Sequence, residues 1–343
     1  MSNKALIELV KCRWREFRRE PSAMFFVVLM PVLWMIILGF AFSGNSRELY
    51  NVGWVGATDS AVFQNLDDDK IFKMIPTSTN GATDLLKTQK AQIVVYEQNG
   101  SFKYSFDEHN QPSKQAWYAV DKAIQEAGGR KNVFITEKDS LQLPGNRYVD
   151  FLIPGLLAFS IMTTSLYGTG MTIVANRREN VLKRYMATPM RPLHYIVSHI
   201  IGRYFILAVE ILVILVTGVL IFDFEIAGSF VQFCAVAALG AAMFTSIAIL
   251  CAARTESNAV MNGVSNLIVL PMMMISGVWF SRSNFPDWIA EPASYLALSP
   301  LLDGLRKISL EGLSIANIGP EISIMIAWLI GTTFLAKIRF RWY

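Results

Sequence analysis

Residues 176–195, NRRENVLKRYMATPMRPLHY, separate two of the most apolar runs in this chain of 343 residues. The stretch holds five basic residues, Arg177, Arg178, Lys183, Arg184 and Arg191, against the single acid Glu179, and Pro189 and Pro192 punctuate it. The surrounding composition explains its place. With 53% hydrophobic and 17% charged side chains, the chain is too apolar for a soluble protein of its length. It reads as a membrane protein, with the basic stretch held as a loop at one membrane face. The formal charge of +4 suits loops near an anionic membrane surface. No basic run interleaved with aromatics points to nucleic acid. Cys12, Cys234 and Cys251 are scattered, and the large polar segment has none, so no disulfide framework is implied.

A spanning helix needs roughly 20 apolar residues, because about 30 Å of hydrocarbon is crossed at about 1.5 Å per residue. Six segments meet or approach this: 23–43, 149–175, 193–222, 227–253, 257–281 and 319–337. Within the third, Arg203 opens a run to Phe222 that is interrupted only by Glu210. The sixth has 15 uncharged residues, 322–336, and spans only if Glu321 and Lys337 sit at the interfaces, where a lysine stem can snorkel. The first follows basic residues and lacks a small-residue cleavage site, so it reads as a retained helix. Lys and Arg concentrate in residues 1–22, in the 176–192 loop and in the 338–343 tail, whereas 223–226 has none. The positive-inside bias therefore puts both termini and the loop in the cytoplasm, and 44–148 and 282–318 outside.

Residues 44–148 are long enough to bury a modest core. Alternating patterns predict strands over 51–57, 91–97 and 101–107, and helical periodicity predicts helices over 80–90 and 111–127, the latter with Pro112 in its first turn. The expected result is a small α/β domain. It has no Gly-rich phosphate loop, metal spacing or Ser/His/Asp cluster, and His109 beside Asp107 and Glu108 reads as a solvated turn residue and not a metal ligand. Leu6, Leu9, Val10, Trp14 and Phe17 recur at helical spacing until Pro21, which predicts an amphipathic helix lying in the interface. Within the central loop, 180–187 predicts a short helix that Pro189 stops, with Val181, Tyr185 and Thr188 on one side and Leu182 and Met186 adjoining.

RRENVLKRYMATPMRP resembles the coupling-helix segment that follows the second span in permeases of type-2 ABC transporters. FLIPGLLAFSIMTTSLYGTG is similar to that family's second helix, ISGVWFSRSNFP to the end of its fifth, and YLALSPLLDGLRKI to the short external helices that follow. The spacing from Pro154 through Arg306 fits the family, so the resemblance is broad. One departure is Asn180, where the family commonly has Gly; Asn is the residue after Gly that best tolerates a left-handed turn. The resemblance implies a mainly α membrane fold, a six-helix bundle with a small extracytoplasmic α/β domain and an elbow helix before the first span. It implies a permease in the bacterial cytoplasmic membrane that pairs with a second permease chain and is driven by two copies of a separate ATP-binding subunit. The chain itself has no G-x-x-x-x-G-K-[ST] motif, so no cofactor is expected on it and ATP and Mg belong to the partner. Arg178, Glu179, Leu182, Arg184, Tyr185, Met186 and Pro189 are then the residues expected to meet the ATPase. Charges that merely anchor the loop at headgroups are the plainer alternative.

By the same resemblance the second and fifth helices line the route, which singles out Phe159, Met162, Thr163, Asn262, Asn266 and Met273. Flexible Met suits variable apolar cargo, while Asn and hydroxyls between helices serve packing equally well. Glu210 is an ionisable residue deep in a span. It is suited to sensing a cation, relaying protons or pairing with Arg203 or His199. Residues 282–318 are too polar to span and too apolar for a free loop, so they predict two short helices dipping into the outer leaflet as an exit gate, with Asp303 and Arg306 paired three residues apart. Cargo is expected to be a lipid, glycolipid or amphiphilic drug, or a polymer or peptide handed to the external domain. The reading from another class is a membrane sensor whose external domain binds a ligand and whose loop docks a signalling protein.

Overall fold

A computed structural model of the chain describes residues 2–19, 25–42, 50–88, 90–98, 101–108, 110–130, 147–187 and 192–340. They form two compact units, one of Met1–Ser43 with Gln142–Tyr343 and the other of Gly44–Leu141. Helix α1 (Ser2–Arg19) comes first, and a π-helical turn over Phe25–Leu29 runs into α2 (Met30–Phe42). The second unit then contributes β1 (Tyr50–Val55), α3 (Ala61–Asp68), β2 (Phe72–Pro76), α4 (Thr79–Lys87), β3 (Ile93–Gln98), β4 (Ser101–Phe106) and α5 (Gln111–Ala127). The first unit resumes with α6 (Tyr148–Thr163), a π-helical segment (Thr164–Gly170), α7 (Met171–Arg178) and α8 (Val181–Met186). It ends with α9 (Pro192–Phe222), α10 (Phe230–Ala252), α11 (Asn258–Ile275), α12 (Asp287–Ser294), α13 (Leu298–Ser309) and α14 (Gly319–Arg339).

The sheet of the second unit has the order β2-β1-β3-β4, with β1 parallel to both neighbours and β3 and β4 an antiparallel hairpin. Side chains alternate across a strand. Val52, Trp54, Ile93 and Val95 therefore share one face, where they bury Phe63 and Leu66 of α3 and Ala116, Val120 and Ile124 of α5. Gly53 and Val94 face the other way, against Leu85 of α4. The three expected strands and two expected helices are present with small shifts of their ends; β2 and α3 are additional. Ser60 caps α3 by accepting from the Phe63 amide at 3.2 Å.

In the first unit, five helices among the described residues are long and apolar enough to cross a membrane: Tyr148–Arg178, Val197–Phe222, Phe230–Ala252, Asn258–Ile275 and Ile315–Arg339. Val27–Phe42 is a shorter apolar helix. The Tyr148–Arg178 helix is the centre of the unit, with Leu152, Ile153, Leu156, Leu157 and Ile161 all buried. Gly155 permits this closeness: a Cβ there would stand 2.9 Å from the carbonyl oxygen of Val278, and backbone cannot swing away as a side chain can. The sixth span is less marginal than its uncharged run suggests. Lys307 Nζ binds Glu321 at 2.6 Å, so the acid at the start of α14 is neutralised by α13, and Ser246 of α10 bonds Thr332 and Thr333 of α14 at 2.8 Å each. The two short helices expected over 282–318 are α12 and α13, and α13 is largely buried among the spans.

Candidate functional site

The loop between α7 and α9 is built around one strained residue. Asn180 has φ 57° and ψ 20°, the left-handed conformation, and turns the chain sharply from the end of α7 into α8. Asn180→Gly should leave stability within about 0.5 kcal/mol of the parent, whereas Asn180→Val should lose on the order of 1–2 kcal/mol, because a branched Cβ crowds the carbonyl there. Thermal unfolding of the purified variants checks both values.

That turn gives α8 two faces. Leu182 is 1% exposed and packs with Ile173 and Val174 of α7, Tyr195 of α9, Ile249 and Ala252 of α10, Met261 of α11 and Ala336 of α14. Tyr185 is half-buried against the same cluster, its ring 5.8 Å from that of Tyr195. Arg178, Glu179, Lys183 and Arg184 are exposed. Leu182 was expected among residues meeting the ATPase and is instead the anchor of α8 in the bundle. Apolar side chains of every neighbouring span converge on it, and burial outweighs its place on the helix wheel. Pro189 and the Met186 side chain lie outside the described residues, as does His109.

Two residues that periodicity did not single out tie this region together. Asn176 donates to the Tyr195 hydroxyl at 3.1 Å. Arg177 donates from Nη1 to the carbonyls of Ala252, at 2.7 Å, and Thr255, and from Nη2 to Ala253 at 3.0 Å; its guanidinium lies 5.5 Å from the Phe340 ring centre. The three carbonyls stand 75 to 78 positions further along the chain. No local pattern in the sequence points to them, and Arg177 counts there as one more positive charge.

Glu210 pairs with Arg203 and not with His199. Arg203 Nη2 meets Glu210 Oε2 at 2.8 Å with both side chains fully buried, and Thr164 and Ser160 donate to Oε1 at 2.8 and 3.2 Å. Arg203 Nε also donates to Ser165 at 3.0 Å. All three hydroxyls belong to the run Thr163-Thr164-Ser165 or lie just before it. Thr163 and Ser165 bond back to the carbonyls of Phe159 and Ile161 at 2.9 and 2.7 Å, and Thr164 shares its one hydroxyl proton between Glu210 and the Ser160 carbonyl at 2.6 Å; these bonds accompany the π-helical segment. The pair thus fastens α9 to the point where the second span changes its winding.

The expected route residues divide. Met162 is 0% exposed and packs in the core, a correction that follows from the central position of its helix. Phe159 and Thr163 are half-buried, Met273 is half-buried, and Asn262 and Asn266 are exposed on α11, which buries only Met261, Ser265, Val269 and Met272. Tyr167 donates to Asn266 Oδ1 at 2.6 Å, bringing the π-helical segment and α11 together. At the other end of the bundle, Asp303 and Arg306 do not pair. Asp303 binds Arg282, while Arg306 donates to the carbonyls of Phe151 at 3.2 Å and Val278 at 3.3 Å and lies 3.4 Å over the Phe151 ring. Burial raises the Asp303 carboxyl above the ordinary carboxylate range, and the Arg282 and Arg306 charges oppose that rise.

The comparisons with known proteins agree with this architecture. The model of the family described as ABC-2 family transporter protein matches residues 21–337. Over 199 residues the chain is 23% identical to the Dictyostelium discoideum protein named ABC transporter G family member 20, an overlap that covers 56% of this chain and 27% of that protein. The chain therefore spans little more than a quarter of that relative. With the family match running from residue 21 into the last turn of α14, over a helical bundle with its basic loop between the second and third spans, the chain belongs to the ABC-2 family of transporter proteins and is a multi-pass membrane protein.

Proposed function

We propose that this chain is the permease subunit of an ATP-driven exporter that moves a lipid, glycolipid or amphiphilic drug-like molecule outward across a bacterial cytoplasmic membrane. The family implies an ATP-binding partner, and in this reading two copies of a separate subunit dock beneath a pair of permease chains. The observation that carries it is the two-faced α8: Leu182 and Tyr185 are held by residues of five helices, while Glu179, Lys183 and Arg184 project outward. A helix that only rested on headgroups would need its apolar side toward lipid. Here that side is used up inside the protein, and the charged side is left for a soluble partner. An amphiphilic cargo is supported by α11, whose exposed face alternates Asn262 and Asn266 with Leu267, Leu270 and Met274. The orientation, with both termini and α8 in the cytoplasm, rests on the basic residues at those three places.

Crosslinking tests the docking. A Lys183→Cys variant carrying a short thiol-directed photocrosslinker, in membranes of the native organism, is expected to capture an ATP-binding polypeptide. Capture of lipid alone would contradict the reading.

A further inference from the structure

We propose that Arg177 is the positioning residue through which movement of the α8 loop reaches the fourth and sixth spans. This rests on the reading of α8 as the ATPase-docking element and names the joint behind it. Arg177 stands in the last turn of α7, two positions before the exposed Glu179, yet it is half-buried and turned into the bundle. Its two terminal nitrogens reach three carbonyls, those of Ala252, Ala253 and Thr255, at the end of α10. The last carbonyls of a helix have no partner within the helix, and a cation there also meets the negative end of the helix dipole. The guanidinium thus closes the terminus of α10 from a different element. Its plane also lies near Phe340, just past the end of α14. The preceding residue, Asn176, holds Tyr195 of α9, whose ring borders Tyr185 of α8. One turn of α7 is therefore cross-tied to α9 on one side and to α10 and α14 on the other. A push on α8 turns that unit, and Arg177 extends polar contacts from it to the end of the fourth span.

The contact needs a planar fork. A lysine keeps the charge at the membrane face but presents a single point donor, so it cannot hold carbonyls on two sides and lie flat on a ring. Arg177→Lys thus separates a joint from a simple anchor.

The test is hydrogen–deuterium exchange of the full permease purified with its ATP-binding subunit, with and without ATP and Mg. In the parent complex, ATP is expected to change exchange in residues 181–187 and also in 250–258. In Arg177→Ala and Arg177→Lys the subunit should be retained and the response of 181–187 preserved, while the response of 250–258 is lost. A purely structural cap would raise exchange at 250–258 without ATP yet leave the ATP response in place. Persistence of that response in both variants overturns the proposal, as does loss of the subunit from Arg177→Lys, which would make Arg177 part of the docking surface. Absence of an ATP-binding subunit from the parent preparation is a different result, and sinks the docking reading itself.

Discussion

Glu210→Ala is expected to destabilise the first unit by about 3–5 kcal/mol, the usual loss when one partner of a buried ion pair is removed. The change strips the carboxylate from a guanidinium that is 2% exposed and takes the acceptor from Ser160 and Thr164. Glu210→Gln, which keeps the shape and one acceptor, should lose less. The double variant Arg203→Met with Glu210→Leu should recover most of the loss, because no charge then remains to be compensated in a low-dielectric interior. Unfolding of the detergent-solubilised chain by increasing denaturing detergent measures all three. Additive losses in the double variant would mean that the two residues act separately. Because both carboxylate oxygens are already engaged by protein donors, the arrangement favours a structural clamp over a proton relay.

Arg306→Ala is the second large effect, about 2–4 kcal/mol. The side chain supplies charged hydrogen bonds to the Phe151 and Val278 carbonyls and a desolvated contact with the Phe151 ring, each worth on the order of 1–2 kcal/mol or more. Truncation also leaves a void beside Gly155, whose Cβ position is 3.3 Å from Arg306 Nη2. Arg306→Lys should recover little, since the flat stacking is lost. Asp303→Asn should be mild, because Arg282 and Asp303 are each about a fifth exposed and screened. The same unfolding assay ranks them: an Asp303→Asn loss as large as that of Arg306→Ala would show that the two residues work as one pair after all.

That contrast marks where the sequence was legible. Two charges three apart on a helix predict a local pair, but Arg306 finds buried carbonyls on α6 and beyond α11, while the Asp303 carboxylate is engaged by Arg282. The periodic segments declared themselves: α5 covers Gln111–Ala127 as its apolar spacing indicates. Five of the six apolar runs coincide with helices long enough to span, and the first with the shorter apolar helix Val27–Phe42. β2 did not declare itself. FKMIP is short, ends in proline and follows three aspartates, and its strand character comes from pairing with β1. α3 is only eight residues, with Phe63 and Leu66 as its buried side, too brief for a period to show. The π-helical segment is written in TTS and in Gly168 and Gly170, though only the backbone shows what those hydroxyls do.

At the functional site the order of residues was readable and their depth was not. The motif 177–186 located α8, and Asn180 took the left-handed turn that the family's glycine implies. Which of its residues face inward depended on side chains from α9, α10, α11 and α14, none of which is near in sequence. Leu182 consequently serves as a buried anchor and not as a surface contact, and Arg177 as a tie into another helix and not as one more surface charge.

The central claim is that the exposed face of α8 docks a separate ATP-binding subunit. Native mass spectrometry of the chain extracted from its own membrane in mild detergent, without crosslinker, tests it most directly. The account predicts a complex of two permease chains with two ATP-binding subunits, lost from a Glu179→Arg, Arg184→Glu variant that still folds. A preparation with no ATP-binding subunit, or with a signalling protein in its place, would contradict it and favour a sensor.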